Sequence, residues 1–422
     1  MAIQQTSKID EHSAVNILTV NKEESLDFLS VVYDIHREGV SSTNRKGETI
    51  YELLNAFIVL RPGAYPYCAG RYMSKEYLSN ELDFYSSGSL KLEDAVKMSK
   101  FWAKCSDDGE TINSNYGYLL FHKVNERGLT QFEYAISCLL NNKSSKKAVM
   151  TIHSPEHAYL SNDNPCTLNI VFRIINDELN MHVTMRSNDV WYGLPYDLPF
   201  FHVVHKAALN ILARTYPEIR LGIHVHQAHS LHIYERSLQK YSLCERKGYA
   251  DEPDVMFYLI VNSAVQRFIG LYDYRAHRRF MNMAWEESKK SHCLKKHCGA
   301  VIVCHDKVVA LGYGDRDGVR CTECARDKKE VFYSDGCYSV HAEMRASIQA
   351  LKNGFTEWDN AVVYVTHGPC DACLKLLNHL GVKKVIYDKP YKTDYKGHWP
   401  NIEVVSLEEL CVSIPFDKSN QQ

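Results

Sequence analysis

The sequence predicts an α/β protein of two domains, and three observations carry that prediction. At 422 residues the chain is too long for one ordinary core. From about His277 onward, short apolar strands alternate with helix-length runs, the order of a partly parallel sheet with crossover helices. Upstream, residues 169–175 and 179–185 read as two strands joined by a turn at Asn176-Asp177-Glu178.

Residues 1–24 are a polar N-terminal segment. Residues 25–236 form the first expected domain, mixing helical and β-rich patterns. Within it, 179–185 alternates with the period of a half-buried strand. Residues 199–214 read as a buried helix, because their apolar side chains lie all round rather than on one face. A connecting segment, 237–277, contains a loop at 246–253 and a stretch at 255–272 that fits helix or strand equally. The second domain, 278–415, opens with a helix at 278–290. A buried strand at 299–304 and its hairpin partner at 307–312 follow. Helix 341–352, strand 361–366, helix 370–380 and strand 382–387 complete it, before a polar tail at 417–422. No internal repeat or low-complexity segment interrupts the pattern.

Composition narrows the function classes. Hydrophobic content of 45% and charged content of 24% are ordinary for a folded globular chain. A formal charge of −2 argues against a general nucleic-acid binder, whose affinity rests on accumulated Lys and Arg. The N-terminus lacks the apolar core of a signal peptide. No apolar run approaches the ~18–20 residues that cross a bilayer, so no membrane association is expected. The chain has 14 Cys and no export signal, so they read as reduced thiols and metal ligands in a cytoplasmic protein.

Two short stretches carry the chemistry of the second domain: His341-Ala342-Glu343 and Pro369-Cys370-Asp371-Ala372-Cys373. His341, Cys370 and Cys373 offer three ligands for one Zn²⁺, and a catalytic zinc site keeps its fourth position for water. The metal brings the pKa of that water down to about 7. Glu343 is then a proton shuttle rather than a ligand. A structural zinc site would want four closed ligands, and a redox Cys-x-x-Cys would have no use for the His-x-Glu upstream. Each half of the motif stands where a strand or loop feeds a helix N-terminus, whose dipole favours thiolates.

The paired motif is the signature of zinc-dependent nucleobase deaminases, in which water replaces the amino group at C4 of cytosine. With Cys298-Gly299-Ala300-Val301-Ile302-Val303, the run Val363-Tyr364-Val365-Thr366, Gly381 to Tyr387 and Tyr391, residues 278–395 resemble the deoxycytidylate deaminases. The resemblance implies a three-layer α/β/α domain and a free nucleotide substrate. One departure stands out: that family usually carries Asn in a Gly-Tyr-Asn-Gly turn, where this chain has Gly312-Tyr313-Gly314-Asp315. Either the pocket is rebuilt for another ligand, or Asp315 and Arg316 take over. Cys321, Cys324, Cys337 and His297 have the chemistry of a second, structural zinc site, and fit equally well as ordinary buried small residues.

In the first domain, Asn164-Pro165-Cys166, Arg186-Ser187-Asn188-Asp189, Gly193-Leu194-Pro195-Tyr196-Asp197 and His232-Ile233-Tyr234 follow one another in order. Asn44-Arg45-Lys46-Gly47, Glu81-Leu82-Asp83-Phe84-Tyr85 and Tyr116-Gly117 precede them. Together these resemble thymidylate synthase and its relatives, the deoxycytidylate and cytidylate hydroxymethylases, across residues 25–236. The resemblance implies an α+β domain, an obligate homo-oligomer and 5,10-methylene-tetrahydrofolate as one-carbon donor. It makes Cys166 the nucleophile, which adds covalently to the pyrimidine so that C5 can react. Glu81 manages proton transfers through water. Arg186 holds the phosphate and lowers the thiol pKa. Ser187 and Asp189 belong to the same nucleotide-binding motif, Arg45 sits in a phosphate loop, and Lys146 and Lys147 reach from a partner subunit. His232 and Tyr234 hydrogen-bond the sugar. Asp197 stands where thymidylate synthases have Asn, and a carboxyl group there suits the N4 amino group of cytosine, as in the hydroxymethylases. Thr167, Val171 and Phe84 replace the family's usual His, Gln and Trp, and the segment that closes over folate in that family has no clear counterpart after Tyr234.

These readings lead to a bifunctional enzyme of pyrimidine nucleotides: zinc-dependent deamination of a deoxycytidylate, joined to C5 one-carbon transfer onto a cytosine nucleotide. A deaminase with a non-catalytic, nucleotide-sensing N-terminal domain is the alternative. A deaminase joined to a true thymidylate synthase is another.

Overall fold

The computed structural model describes residues 16–44, 47–157, 159, 161–238, 240, 252–316, 322, 324, 339–391, 395 and 399–413. The chain divides into two compact units, residues 1–271 with 416–422, and residues 272–415.

The first unit is built on an eight-stranded mixed sheet. Strand Asn16–Val20 runs parallel to Thr49–Leu60, which lies antiparallel to the long strand Arg220–Tyr234. Beyond it come Glu178–Met185, parallel, then Thr167–Ile175 and Val149–Thr151, each antiparallel to its neighbour. Thr167–Ile175 and Glu178–Met185 form the expected hairpin. Asn176 and Asp177 turn it with φ of 52° and 60°, the left-handed pair of a tight two-residue turn.

Helix Leu194–Leu212 is buried nearly all round, including Phe200, Phe201, Val203 and Val204, as its unsided apolar pattern requires. It starts five residues before the expected position because Pro195 is tolerated in the first turn, where an amide hydrogen has no helical partner. Helix Lys75–Ser87 is capped by the Ser74 side chain and stopped by Gly88 at φ 66°. Its buried stripe, Leu78, Glu81, Leu82 and Tyr85, places one carboxyl group among apolar neighbours.

The second unit holds a five-stranded sheet in the order Lys307–Tyr313, Gly299–Cys304, Ala361–His367, Lys384–Lys389, Glu403–Ser406. The first two pairings are antiparallel and the last two parallel, the mixed character the sequence predicts. Gly299–Cys304 is buried along its whole length. Helices Ala342–Lys352 and Asp371–Leu380 begin one residue after the expected starts, because His341 and Cys370 occupy the N-cap positions in extended conformation.

The undecided stretch at 255–272 is helical and continues as Val255–Ser288, joining the helix expected at 278–290. By length and composition this helix could cross a membrane, which corrects the expectation that no run is long and apolar enough. Its Phe257, Val261, Ala264, Val265 and Phe268 are instead buried in protein, Phe268 against Phe121 at 4.5 Å between ring centroids. The loop expected at 246–253 lies largely outside the described residues.

Candidate functional site

In the second unit, two helix starts bring the zinc motif together. His341 Nδ1 lies 3.3 Å from Cys370 Sγ and 3.4 Å from Cys373 Sγ. One donor atom from each of the three lies within 4.8 Å of the other two. Two sulfurs and an imidazole nitrogen are the donor set borderline-soft Zn²⁺ prefers, so these residues fit the expected metal. Hydrogen bonding from Cys373, with a further contribution from His341, draws the Cys370 thiol down to about 4 despite its partial burial. The same shared hydrogen bond, followed by burial, pushes Cys373 upward. Glu343 is buried one residue into the helix, and burial raises its carboxyl above the ordinary range. Tyr395 donates from its hydroxyl to the Pro369 carbonyl at 3.1 Å, holding the loop that carries Cys370.

Asp315 is buried and engaged, its carboxylate 3.1 Å from His292 Nδ1 and its backbone paired with Val340. It braces the approach to His341. Of the suggested second zinc site, Cys321 and Cys337 lie outside the described residues. His297 is exposed and Cys324 half-buried, and neither belongs to a metal-competent group among the described residues. Such a group does form elsewhere from Cys304, His305 and Glu357, the last of them exposed.

In the first unit, Cys166 stands immediately before strand Thr167–Ile175. Burial raises its thiol, against the pull of the Arg186 guanidinium and of Ser187, whose Oγ donates to the sulfur at 3.7 Å. Arg186 is fixed by donating to the carbonyls of Pro165 at 3.1 Å and Asn164 at 2.9 Å. Tyr77 donates to Glu81 at 3.1 Å. Burial, with added repulsion from Asp197, pushes Glu81 up to about 8. Asp197 is pushed up to about 6 by burial, partly offset by Asn188, whose Nδ2 donates to Oδ2 at 2.6 Å. Asp189 accepts from the backbone of Trp191 at 2.7 Å and Tyr192 at 3.1 Å, and so braces the turn leading to Asp197. His232 and Tyr234 meet edge to face, with Arg236 over the Tyr234 ring.

Lys146 and Lys147 are exposed just before strand Val149–Thr151, and Arg45 lies outside the described residues. Sequence reasoning passed over Tyr77 and His226, and gave Tyr85 and Asn188, quoted within their motifs, no role of their own. Tyr77 was findable, four residues before Glu81 on the same helix face. His226 alternates with His224 and Ala228 in the buried phase of strand Arg220–Tyr234, an unusual place for imidazoles.

The two sites define the chain as a fusion of two nucleotide-metabolism modules. Residues 26–285 match the thymidylate synthase family, and the chain belongs to that family. Residues 274–389 match the cytidine and deoxycytidylate deaminase zinc-binding region. The first match runs past residue 236, where the resemblance was expected to end, and takes in most of helix Val255–Ser288. Among relatives, the deoxycytidylate 5-hydroxymethyltransferase of Enterobacteria phage T6 is 28% identical over 172 residues, covering 39% of this chain and 69% of that protein. ComE operon protein 2 of Bacillus subtilis is 33% identical over 144 residues, 32% of this chain and 74% of the relative. The deoxycytidylate deaminase of Schizosaccharomyces pombe is 34% identical over 150 residues, 33% and 44% of the two chains.

Proposed function

We propose that this chain deaminates a deoxycytidylate in its second unit and transfers a one-carbon unit to C5 of a cytosine nucleotide in its first. The convergence of His341, Cys370 and Cys373 beside buried Glu343 is the observation that carries the reading. Zinc, when held by His341, Cys370 and Cys373, would supply an acidified water. Glu343 takes a proton from the attacking water, delivers it to N3, and passes the second to the 4-amino group. Ammonia leaves and C4 keeps the oxygen.

In the first unit, the Cys166 thiolate bonds to C6 and the displaced electron pair makes C5 nucleophilic. 5,10-Methylene-tetrahydrofolate, when bound, would supply a one-carbon unit that C5 takes up; that carbon's bond to the folate nitrogen would break to release tetrahydrofolate, and water would supply the hydroxyl. Loss of the C5 proton and cleavage of the S–C6 bond release the hydroxymethyl nucleotide. Glu81, whose carboxyl burial pushes up to about 8, is the proton carrier on that side. Arg186 favours the thiolate and binds phosphate, and Asp197 reads the N4 amino group. Arg45, with Lys146 and Lys147 of a second subunit, completes the phosphate site, so the working form is a homo-oligomer.

A second reading, a nucleotide-sensing first unit without transfer chemistry, is favoured by one observation: burial holds the Cys166 thiol above its ordinary value. Mass spectrometry of products from dCMP incubated with the full chain and methylene-tetrahydrofolate separates them. A product carrying the hydroxymethyl mass supports transfer, a methyl mass supports thymidylate synthesis after deamination, and deamination alone supports the sensor.

A further inference from the structure

The first unit contains a buried hydrogen-bond relay that the proposed chemistry does not use. Asn188 Nδ2 donates to Asp197 Oδ2 at 2.6 Å, and Asn188 Oδ1 lies 3.1 Å from His226 Nε2. Asn188 is 3% exposed and His226 0%. We infer that Asn188 and His226 are positioning residues that hold Asp197 as a hydrogen-bond acceptor and thereby favour cytosine over uracil. This inference rests on the reading of Asp197 as the group that meets the base.

The direction of the relay follows from the imidazole. His226 Nδ1 is buried and has no hydrogen-bond partner among the described residues. A buried amide-like N–H without a partner is rarer and costlier than an unpaired acceptor, so the proton belongs on Nε2. That proton must go to Asn188 Oδ1. The amide is then turned with Nδ2 toward Asp197, and an amide's two ends can be told apart only by such a network. Asp197 Oδ2 therefore receives a hydrogen bond. The opposite turn would set Asn188 Oδ1 against the carboxyl group and require an acid proton there. An acceptor at this place suits the N4 amino group of cytosine. It meets uracil O4 acceptor to acceptor, a mismatch that specificity pockets exploit.

The local backbone is shaped around this contact. A Cβ on Gly193 would stand 2.9 Å from Asn188 Nδ2 and 3.1 Å from Asp197 Oδ2, so any larger residue would crowd this contact over the turn. Phe201, 5.8 Å from the His226 ring between centroids, packs the imidazole in place. Burial holds His226 down to about 3, which keeps the ring neutral and its tautomer constant near neutral pH.

The test reads nucleotide occupancy at Cys166 itself, in full-length protein carrying Glu343→Gln so that dCMP is not consumed. Alkylation of Cys166 by iodoacetamide is followed by peptide mass spectrometry while dCMP or dUMP is titrated in. In this background dCMP should protect at lower concentration than dUMP. If it does not, the base-reading role of Asp197 fails, and the relay with it. Given that preference, Asn188→Leu and His226→Phe should each reduce the dCMP:dUMP ratio about tenfold, with dUMP protection retained. His226→Gln, which restores an N–H donor, should recover part of it. An unchanged ratio in both Asn188→Leu and His226→Phe would overturn the relay while leaving Asp197 intact. If Asn188→Leu fails to fold, the near-isosteric His226→Phe decides alone.

Discussion

The chemistry of both sites is set residue by residue, by burial acting on ionisable groups. Glu343 is raised by desolvation, which suits a group that must hold and release protons rather than stay ionised. Glu343→Gln keeps its shape and removes that capacity. It should lower deamination of dCMP by about 10²–10⁴-fold in a steady-state ammonia assay. Zinc content by atomic absorption should be unchanged, because the proposed role makes the glutamate a proton carrier and not a ligand. Glu81 makes a prediction of the opposite kind, about stability. Its folded value near 8 exceeds the ordinary 4.5, so the native state binds the extra proton between those values. Native stability therefore falls as pH rises from about 4.5 to about 8, because the unfolded chain gives up the proton first. Glu81→Gln removes that slope. The variant should gain melting temperature over the parent at pH 8 and gain little or none at pH 5 in paired calorimetric scans. Asp197 has the same sign and a lower window, ending near 6.

At the scale of elements, the second unit's site is made where two helix starts meet. His341 and Cys370 are N-caps, so each helix start aims one ligand at a common point, and Cys373 follows in the first turn. This much was readable in advance, since spacing and helix phase are local properties. The Glu81 helix was partly readable: a carboxylate in the stripe Leu78, Leu82, Tyr85 must be buried, though nothing local says against what. The tight approach of Tyr116-Gly117 to that helix was not. A Cβ on Gly117 would lie 1.8 Å from the Tyr85 carbonyl, while Tyr116 stacks on the Tyr85 ring at 5.8 Å. Gly117→Ala must push backbone from backbone. A loss of about 1–3 kcal/mol is expected, as for other overpacked cores, read as a lower denaturant midpoint at unchanged slope.

At the scale of the whole molecule, each unit has its own sheet and its own buried cluster. Metal removal should accordingly act on the second site alone. Dialysis against a chelator is expected to abolish deamination and to lower the melting transition of the second unit. Both should return with added Zn²⁺, because a ligand that binds only the native state stabilises it. Trapping of Cys166 by 5-fluoro-dCMP and methylene-tetrahydrofolate should be unaffected by the same treatment. A parallel loss in both readouts would contradict independent sites.

By itself the sequence determined the α/β class, the hairpin at 169–185, most of the second unit's elements and the grouping of His341, Cys370 and Cys373. These depend on periodicity, turn residues and ligand spacing, all of them carried by neighbours along the chain. Only the tertiary structure decided that 255–272 is helix rather than strand, since a short apolar run has the same pattern in either and its packing partners choose. Only folding brought His226 onto Asn188, 38 residues away, and Asn188 onto the Asp197 carboxylate. Their pairing depends on sheet register and on the bare turn at Gly193, and distance along the chain records neither.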